Sequence, residues 1–574
     1  MNKYYLNELE KLREQAAEFA RSYPTIAPQL AQASTDPDVE RILEGVAYLC
    51  AQIREKIDDD FPEFAQGLLN QIFPHYLRPV PSMTILQFRP KDIMKSMVNV
   101  PRGTFVDSRE VNDVSCRFST AFGMNVWPMS VANVRQSESA TGKKCIEIDF
   151  TMAGMPVSQF TDGAIRLHIG GDYHTAVEIF YLLMHCVDNI EVQPSNGDAI
   201  VADQVSMEPV GFSDEQGLID MPGHAFPTYR LIQEYFVMKE KFLFIDIANI
   251  DRYMKRITSN TFTIKFHIKD EINALPRLSR DRFMLNVTPA VNLFKRDAET
   301  MLNDHKRSEY RIRPLRDTGN QYQIYTVDKV TGQNRRSGGQ TVYRDIGLSN
   351  PDLNTKPVYQ LQYRTIEGEG SQVFISFSYP KEYKLTNQET LAIELTCSNG
   401  EHASKLKPGE ISKPTSSTSE LMTFENIIQP SDHQNIPAGS SMLWRLLSHL
   451  SLNFLSLADT DNLKALLGLY IFSGSSGNTL EVANRKRIEG ISSIKVNPVD
   501  RLVSGVPMRG QSINLRVNPA NFAGTGDMYL FGALMDRLFA SFASINCFTE
   551  FSLTDEATDE TYRWQARLGD RPLI

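Results

Sequence analysis

Two periodicities divide the chain. In the first, apolar residues recur at alternating spacings of four and three at Tyr5, Leu9, Leu12, Ala16, Phe19 and Tyr23, the stripe of an amphipathic helix, closed by Pro24 and Pro28. A second such stripe runs through Val39, Leu43, Val46, Cys50, Ile53 and Ile57. It starts at Asp36-Pro37, an N-cap acid followed by a proline in the first helical position. A shorter third helix carries Phe64, Leu68 and Ile72 and stops at Pro74. Such a segment could close on itself as a bundle. A unit this small buries proportionally little surface, so a dock for helices of another chain is an equal alternative.

From Pro79-Val80-Pro81 onward the period changes to two. Thr84, Leu86 and Phe88 alternate with Ile85 and Gln87, and Ile146, Ile148 and Phe150 with Glu147 and Asp149. Over 261–268, Phe262, Ile264, Phe266 and Ile268 alternate with Thr261, Thr263, Lys265 and His267. This is the signature of half-buried strands. One helix interrupts them at about 173–187, with Ala176, Phe180, Leu183 and Val187 on one face. Residues 296–350 are rich in charge and turns, strands resume at 373–379 and 391–395, and the Ser/Thr/Lys/Pro stretch 403–419 reads as an exposed loop or linker. The last part predicts helices over 441–457 and 527–543 with a strand at 513–517 between them. The expected fold is α+β and multidomain. It comprises an N-terminal helical bundle (1–80), strand-rich middle domains (81–295, and 296–430 with long loops) and an α/β C-terminal domain (431–574).

Composition narrows the function. The 574 residues are 41% hydrophobic and 22% charged, ordinary for a folded protein, and the net charge of -9 gives no pull toward nucleic acid or anionic lipid. Cys50, Cys116, Cys145, Cys186, Cys397 and Cys547 are scattered, without the clustering of a disulfide framework or zinc site, and read as free thiols of a reducing compartment. The N-terminus lacks the apolar core of a signal peptide, and no segment has the ~20 apolar residues of a membrane span.

The search for chemistry is equally spare. His168, His174 and His185 are the closest histidines, but the latter two fall about 16 Å apart along one helix and cannot share an ion. Asp58, Asp59 and Asp60 read as acids at a helix start. Gly524-Thr525-Gly526 resembles half of a dinucleotide loop, but a helix-capping turn is the better reading. Gly474-Ser475-Ser476-Gly477 fits no phosphate template. Arg485-Lys486-Arg487 reads as a solvated face or salt-bridge rim. No catalytic, cofactor or metal residues are assigned.

Long blocks of the chain resemble the TssF family (also called VasA or ImpG), baseplate subunits of the bacterial type VI secretion system. They are YYLNELEKLREQAAEFARSYP (Tyr4 to Pro24), DPDVERILEGVAYLCAQIREKIDDDFPE (Asp36 to Glu63), PHYLRPVPSMTILQF (Pro74 to Phe88), PTYRLIQEYFVMKEKFLFIDI (Pro227 to Ile247), NVTPAVNLF (Asn286 to Phe294), WRLLSHLSLNFLSL (Trp444 to Leu457), LFGALMDRLFASFASIN (Leu530 to Asn546) and the ending RLGDRPLI. Lys239 stands where the family usually has a proline, and Val287 where it often has a cysteine. The resemblance implies a non-catalytic subunit of a contractile injection system. It would form a cytoplasmic baseplate wedge with TssG, a second copy of TssF, TssE and TssK around the VgrG spike. That wedge would support the TssB–TssC sheath and Hcp tube and reach the inner membrane only through partners. It further implies that the N-terminal helices join a bundle shared with TssG. Candidate partner-helix residues are then Tyr5, Leu9, Leu12, Phe19, Val39, Leu43, Val46 and Ile53. Tyr229, Arg230, Tyr235 and Phe236 form a second contact or core region. An enzyme with an unmarked site, or a scaffold that only self-associates, are the competing readings.

Overall fold

The computed structural model describes residues 2–22, 41–53 and 74–569, the last span with internal gaps of which 347–356 and 436–457 are the longest. The predicted third helix (Phe64, Leu68, Ile72) and the helix over 441–457 therefore lie outside the described residues, as does Val39. Two compact units emerge: Met1–Ile72 with Pro437–Leu450, and Phe73–Ile436 with Ser451–Ile574. In the first, α1 spans Asn2–Ser22 and α2 spans 41–53.

The second unit is built on sheets. Thr261–Ile268 is the middle strand of a five-stranded antiparallel sheet, flanked by Val187–Pro194 and Lys144–Met152. Its predicted alternation holds. Phe262, Ile264, Phe266 and Ile268 are buried, and the Phe262 ring stacks on its cross-strand partner Phe150 at 5.0 Å. On the other face, charges pair across strands, with Lys265 3.7 Å from Glu147. The strand Met83–Pro90 behaves differently. It lies between Val287–Val291 and Met422–Asn426, and both of its faces are covered: Ile85 joins one apolar cluster while Leu86 and Phe88 join another. Thr84 is also fully buried because its hydroxyl donates to the Ile428 carbonyl at 2.9 Å. An eight-stranded sheet occupies most of 294–398, around Val330, Ile375, Ile393 and Leu395.

The stretch 403–419 is irregular but no linker. Ala403, Leu406 and Ile411 are fully buried, and the hydroxyls of Thr415 and Ser417 both donate to the Phe105 carbonyl. Its polar composition conceals three apolar anchors.

Among the described residues the longer helices of this unit are α3 (Tyr173–His185), α4 (Pro227–Val237), α5 (Thr460–Gly468), α6 (Thr479–Glu489) and α7 (Thr525–Ser541). Asp172 caps α3 by accepting from the Thr175 amide at 3.0 Å, and Ala176, Phe180 and Leu183 are buried as predicted; Val187 opens the next strand. α7 connects Val506–Val517 to Cys547–Asp555, which pair in parallel, a strand–helix–strand crossover.

Candidate partner interface

On α1 the predicted stripe is the inward side: Leu9 is buried, and Tyr5, Leu12 and Ala16 are half-buried. The Phe19 side chain lies outside the described residues.

On α2 the stripe divides. Leu43 and Cys50 are half-buried beside the fully buried Ala47 and Ala51. Val46 and Ile53 point outward and are 40% and 62% exposed. They are joined by two residues outside the predicted stripe, Ile42 at 66% and Leu49 at 59%. Ile42, Val46, Leu49 and Ile53 follow the 4-3-4 spacing that places side chains on one line of a helix. So α2 has two adjoining apolar faces, one built from small residues and covered, the other built from large residues and bare. Covering the bare face would contribute about 3–7 kcal/mol, at ~1.5–3 kcal/mol per fully buried aliphatic side chain.

The second candidate region is core. Tyr229, Arg230, Tyr235 and Phe236 on α4 are all buried within the chain. Tyr229 lies in a near-parallel stack with His75 (6.4 Å) and Tyr470 (6.0 Å). Burial holds the His75 imidazole neutral, its pKa lowered to about 3. Arg230 and the fully buried Lys241 flank Glu234, whose Oε1 also accepts from the Leu218 amide at 2.7 Å. One carboxylate thus pins a loop to α4.

Of the residues singled out for chemistry, Asp58, Asp59 and Asp60 and the loop Gly474-Ser475-Ser476-Gly477 lie outside the described residues, while His168, His185, Gly526 and Arg487 are used in packing. His168 is buried against Phe244 with ring centroids 4.4 Å apart, and its pKa is lowered to about 3. His185 packs among Tyr181, Tyr529 and Tyr562. Among the described residues no three His, Cys, Asp or Glu side chains converge as a metal site would require. At Gly524-Thr525-Gly526, the Gly526 amide donates to Glu178 Oε1 of α3 at 2.8 Å, so a protein carboxylate occupies the helix N-terminus a phosphate would use. Gly526 permits α3 and α7 to touch backbone to backbone. The basic triplet is no solvated face at its last member: Arg487 is 4% exposed and pairs with the fully buried Asp527 at 2.9 Å, which also accepts from the Tyr173 hydroxyl at 2.6 Å.

The whole chain matches one family. The model described as "Type VI secretion system, TssF" covers residues 1–571. The chain belongs to the TssF family. It is 29% identical over 635 aligned positions to type VI secretion system component TssF1 of Pseudomonas aeruginosa, spanning 100% of this chain and 99% of that one. A chain from the cryo-electron microscopy structure of the type VI secretion system TssK-TssF-TssG baseplate subcomplex shares its fold, with a TM-score of 0.78 at 24% identity over 93% of this chain and 99% of that chain. A chain from the type VI secretion baseplate complex matches at a TM-score of 0.58 and 21% identity over all of both chains. Lys239, where the resemblance leads one to expect a proline, has a structural setting. Its side chain is buried with the ammonium 4.4 Å from the centre of the Tyr173 ring, and burial lowers its pKa to about 8. No described helix is long and apolar enough to cross a membrane.

Proposed function

We propose that this chain is a non-catalytic structural subunit of the type VI secretion baseplate wedge. It assembles in the cytoplasm with TssG, a second copy of itself, TssE and TssK around the VgrG spike, and supports growth of the TssB–TssC sheath around the Hcp tube. TssF family membership and the fold shared with a chain of a TssK-TssF-TssG subcomplex support this reading. The observation that carries it to particular residues is the bare stripe Ile42, Val46, Leu49 and Ile53. An aliphatic line on a helix is the face that helix-in-groove association uses. TssG helices and the second copy are its occupants in the shared bundle, with α1 and α2 contributing this chain's part.

The test is co-expression with the neighbouring TssG-like protein, read by native mass measurement, for the intact chain, a chain lacking residues 1–80, and Ile42→Asp and Leu49→Asp. Because Ile42 and Leu49 are exposed in the chain alone, both variants should keep its thermal unfolding profile. Each places a carboxylate in a dry interface and should weaken the complex by at least ~100-fold, several kcal/mol. Complexes that form undiminished with either variant, or without residues 1–80, would defeat the assignment.

A further inference from the structure

A cavity of about 550 Å³ opens where α4, α7, the 212–215 turn and strand residues 567–568 meet. Three arginines line it: Arg230 from α4, Arg537 from α7 and Arg567. Their carboxylate partners differ. Arg567 Nε donates to the buried Asp536 at 2.6 Å and is neutralised. Arg230 has only long contacts, 3.5 Å to Asp214 and 3.6 Å to Glu234, and its buried Nε makes no hydrogen bond. Its guanidinium lies against Gly217, whose missing side chain makes room for it. Arg537 is half-buried with Cζ 5.8 Å from the Phe212 ring centre, and no carboxylate among the described residues lies within 4 Å of it. Burial and the neighbouring Arg567 lower its pKa to about 10, and the adjacent Asp536, already bonded to Arg567, offsets this only in part.

The surroundings restrict the occupant. The first turn of α4, through Thr228, contributes the positive end of a helix to the wall. The rim is apolar on one side, where Leu568 is 56% exposed. On the other side stand the exposed acids Asp214 and Glu215. Those acids oppose a polyanion such as nucleic acid, while Arg537 has no ion-pair partner among the described residues, Asp536 being bonded to Arg567. The geometry points to a receptor for a single carboxylate side chain, flanked by aliphatic residues, on a segment of a partner protein, with Arg537 as its principal contact. This rests on reading the chain as an assembly subunit, but it concerns a surface distinct from α2.

The test uses the purified full chain and two fluorescein-labelled peptides, Gly-Leu-Glu-Leu-Gly and its Gln counterpart, read by fluorescence anisotropy. A charge-assisted contact to arginine should make the Glu peptide bind about tenfold more tightly than the Gln peptide. Arg537→Gln should abolish that difference, and Leu568→Asp, at an exposed rim position, should weaken the Glu peptide without altering thermal unfolding. Equal binding of the two peptides, a preference surviving Arg537→Gln, or displacement of the Glu peptide by sub-millimolar inorganic phosphate would each overturn the proposal, the last by making the cavity a free-anion site. The assay needs no TssG-like protein, so it can fail while the wedge reading stands, or succeed while that reading falls.

Discussion

Gly526→Ala sets two effects of opposite sign against each other. In an open helix the exchange stabilises by up to ~1 kcal/mol, because alanine loses less backbone freedom on folding. Here the new Cβ would lie 2.3 Å from the Val177 carbonyl oxygen, 2.6 Å from its carbon and 2.9 Å from the Glu178 nitrogen. All three are backbone atoms of α3, so no side-chain rotation relieves the clash and the two helices must part by about 1 Å. Overpacking of that size costs about 1–3 kcal/mol. The 2.8 Å bond from the Gly526 amide to Glu178 would lengthen too, losing up to about 1 kcal/mol more. The clash outweighs propensity, and net destabilisation should be about 1–3 kcal/mol. A chain of two compact units need not unfold in one step, so a melting temperature alone would average over them. Hydrogen exchange resolved by peptide is the better assay: amides of α3 and α7 should exchange faster in the variant, with those of the 294–398 sheet unchanged. Exchange unchanged or slowed in both helices, with a raised melting temperature, would show that the helices do not touch here.

Two further outcomes follow from the buried charges. Asp527→Asn leaves Arg487 buried without a counter-charge beside Tyr173, and should cost about 3–5 kcal/mol in denaturant unfolding; a loss below ~1 kcal/mol would mean that water reaches the pair. His168 has its pKa lowered to about 3, against about 6.5 when unfolded. The folded state therefore favours the neutral ring, and this stability is complete above pH 6.5 and falls as the pH drops toward 3. Between pH 7 and pH 5 it should remove about 2 kcal/mol, and His168→Phe should make the stability profile shallower by that amount, the buried His75 and His433 keeping their own shares; an unaltered slope would show the ring to be solvated.

How much of this was legible depended on whether a residue's environment lay near it in sequence. Thr261–Ile268 could be read because one face meets core and the other meets polar strand neighbours, so burial follows the residue-by-residue alternation. Met83–Pro90 reads less clearly because both faces are covered, one of them beside Met422–Asn426 far along the chain. Composition misjudged 403–419 because three apolar anchors decide its burial, while the polar majority decides how it reads. Arg487 could not be recognised as internal, since its partner Asp527 lies on a different helix. The arginine-lined cavity left no local signal either: its walls come from four separate segments.

The α2 helix shows why periodicity alone could not choose between a closed bundle and a dock. A 4-3 spacing selects a line of side chains but does not say which side of that line is covered, and 3.6 residues per turn let two lines share neighbours. The stripe Leu43, Val46, Cys50 and Ile53 crosses the boundary between them. Residue size separates the faces. The fully covered positions Ala47 and Ala51 are small enough for close packing, whereas the bare line carries Ile42, Val46, Leu49 and Ile53. Elsewhere several buried charges are paired internally, with Lys241 on Glu234, Arg487 on Asp527 and Arg567 on Asp536. Pairs like these contribute little net stability but hold loops and helices in one arrangement. Four large aliphatic side chains left in line on one helix are the feature on which the proposed association rests: a partner helix laid along α2 would cover them while keeping its own backbone groups paired within itself.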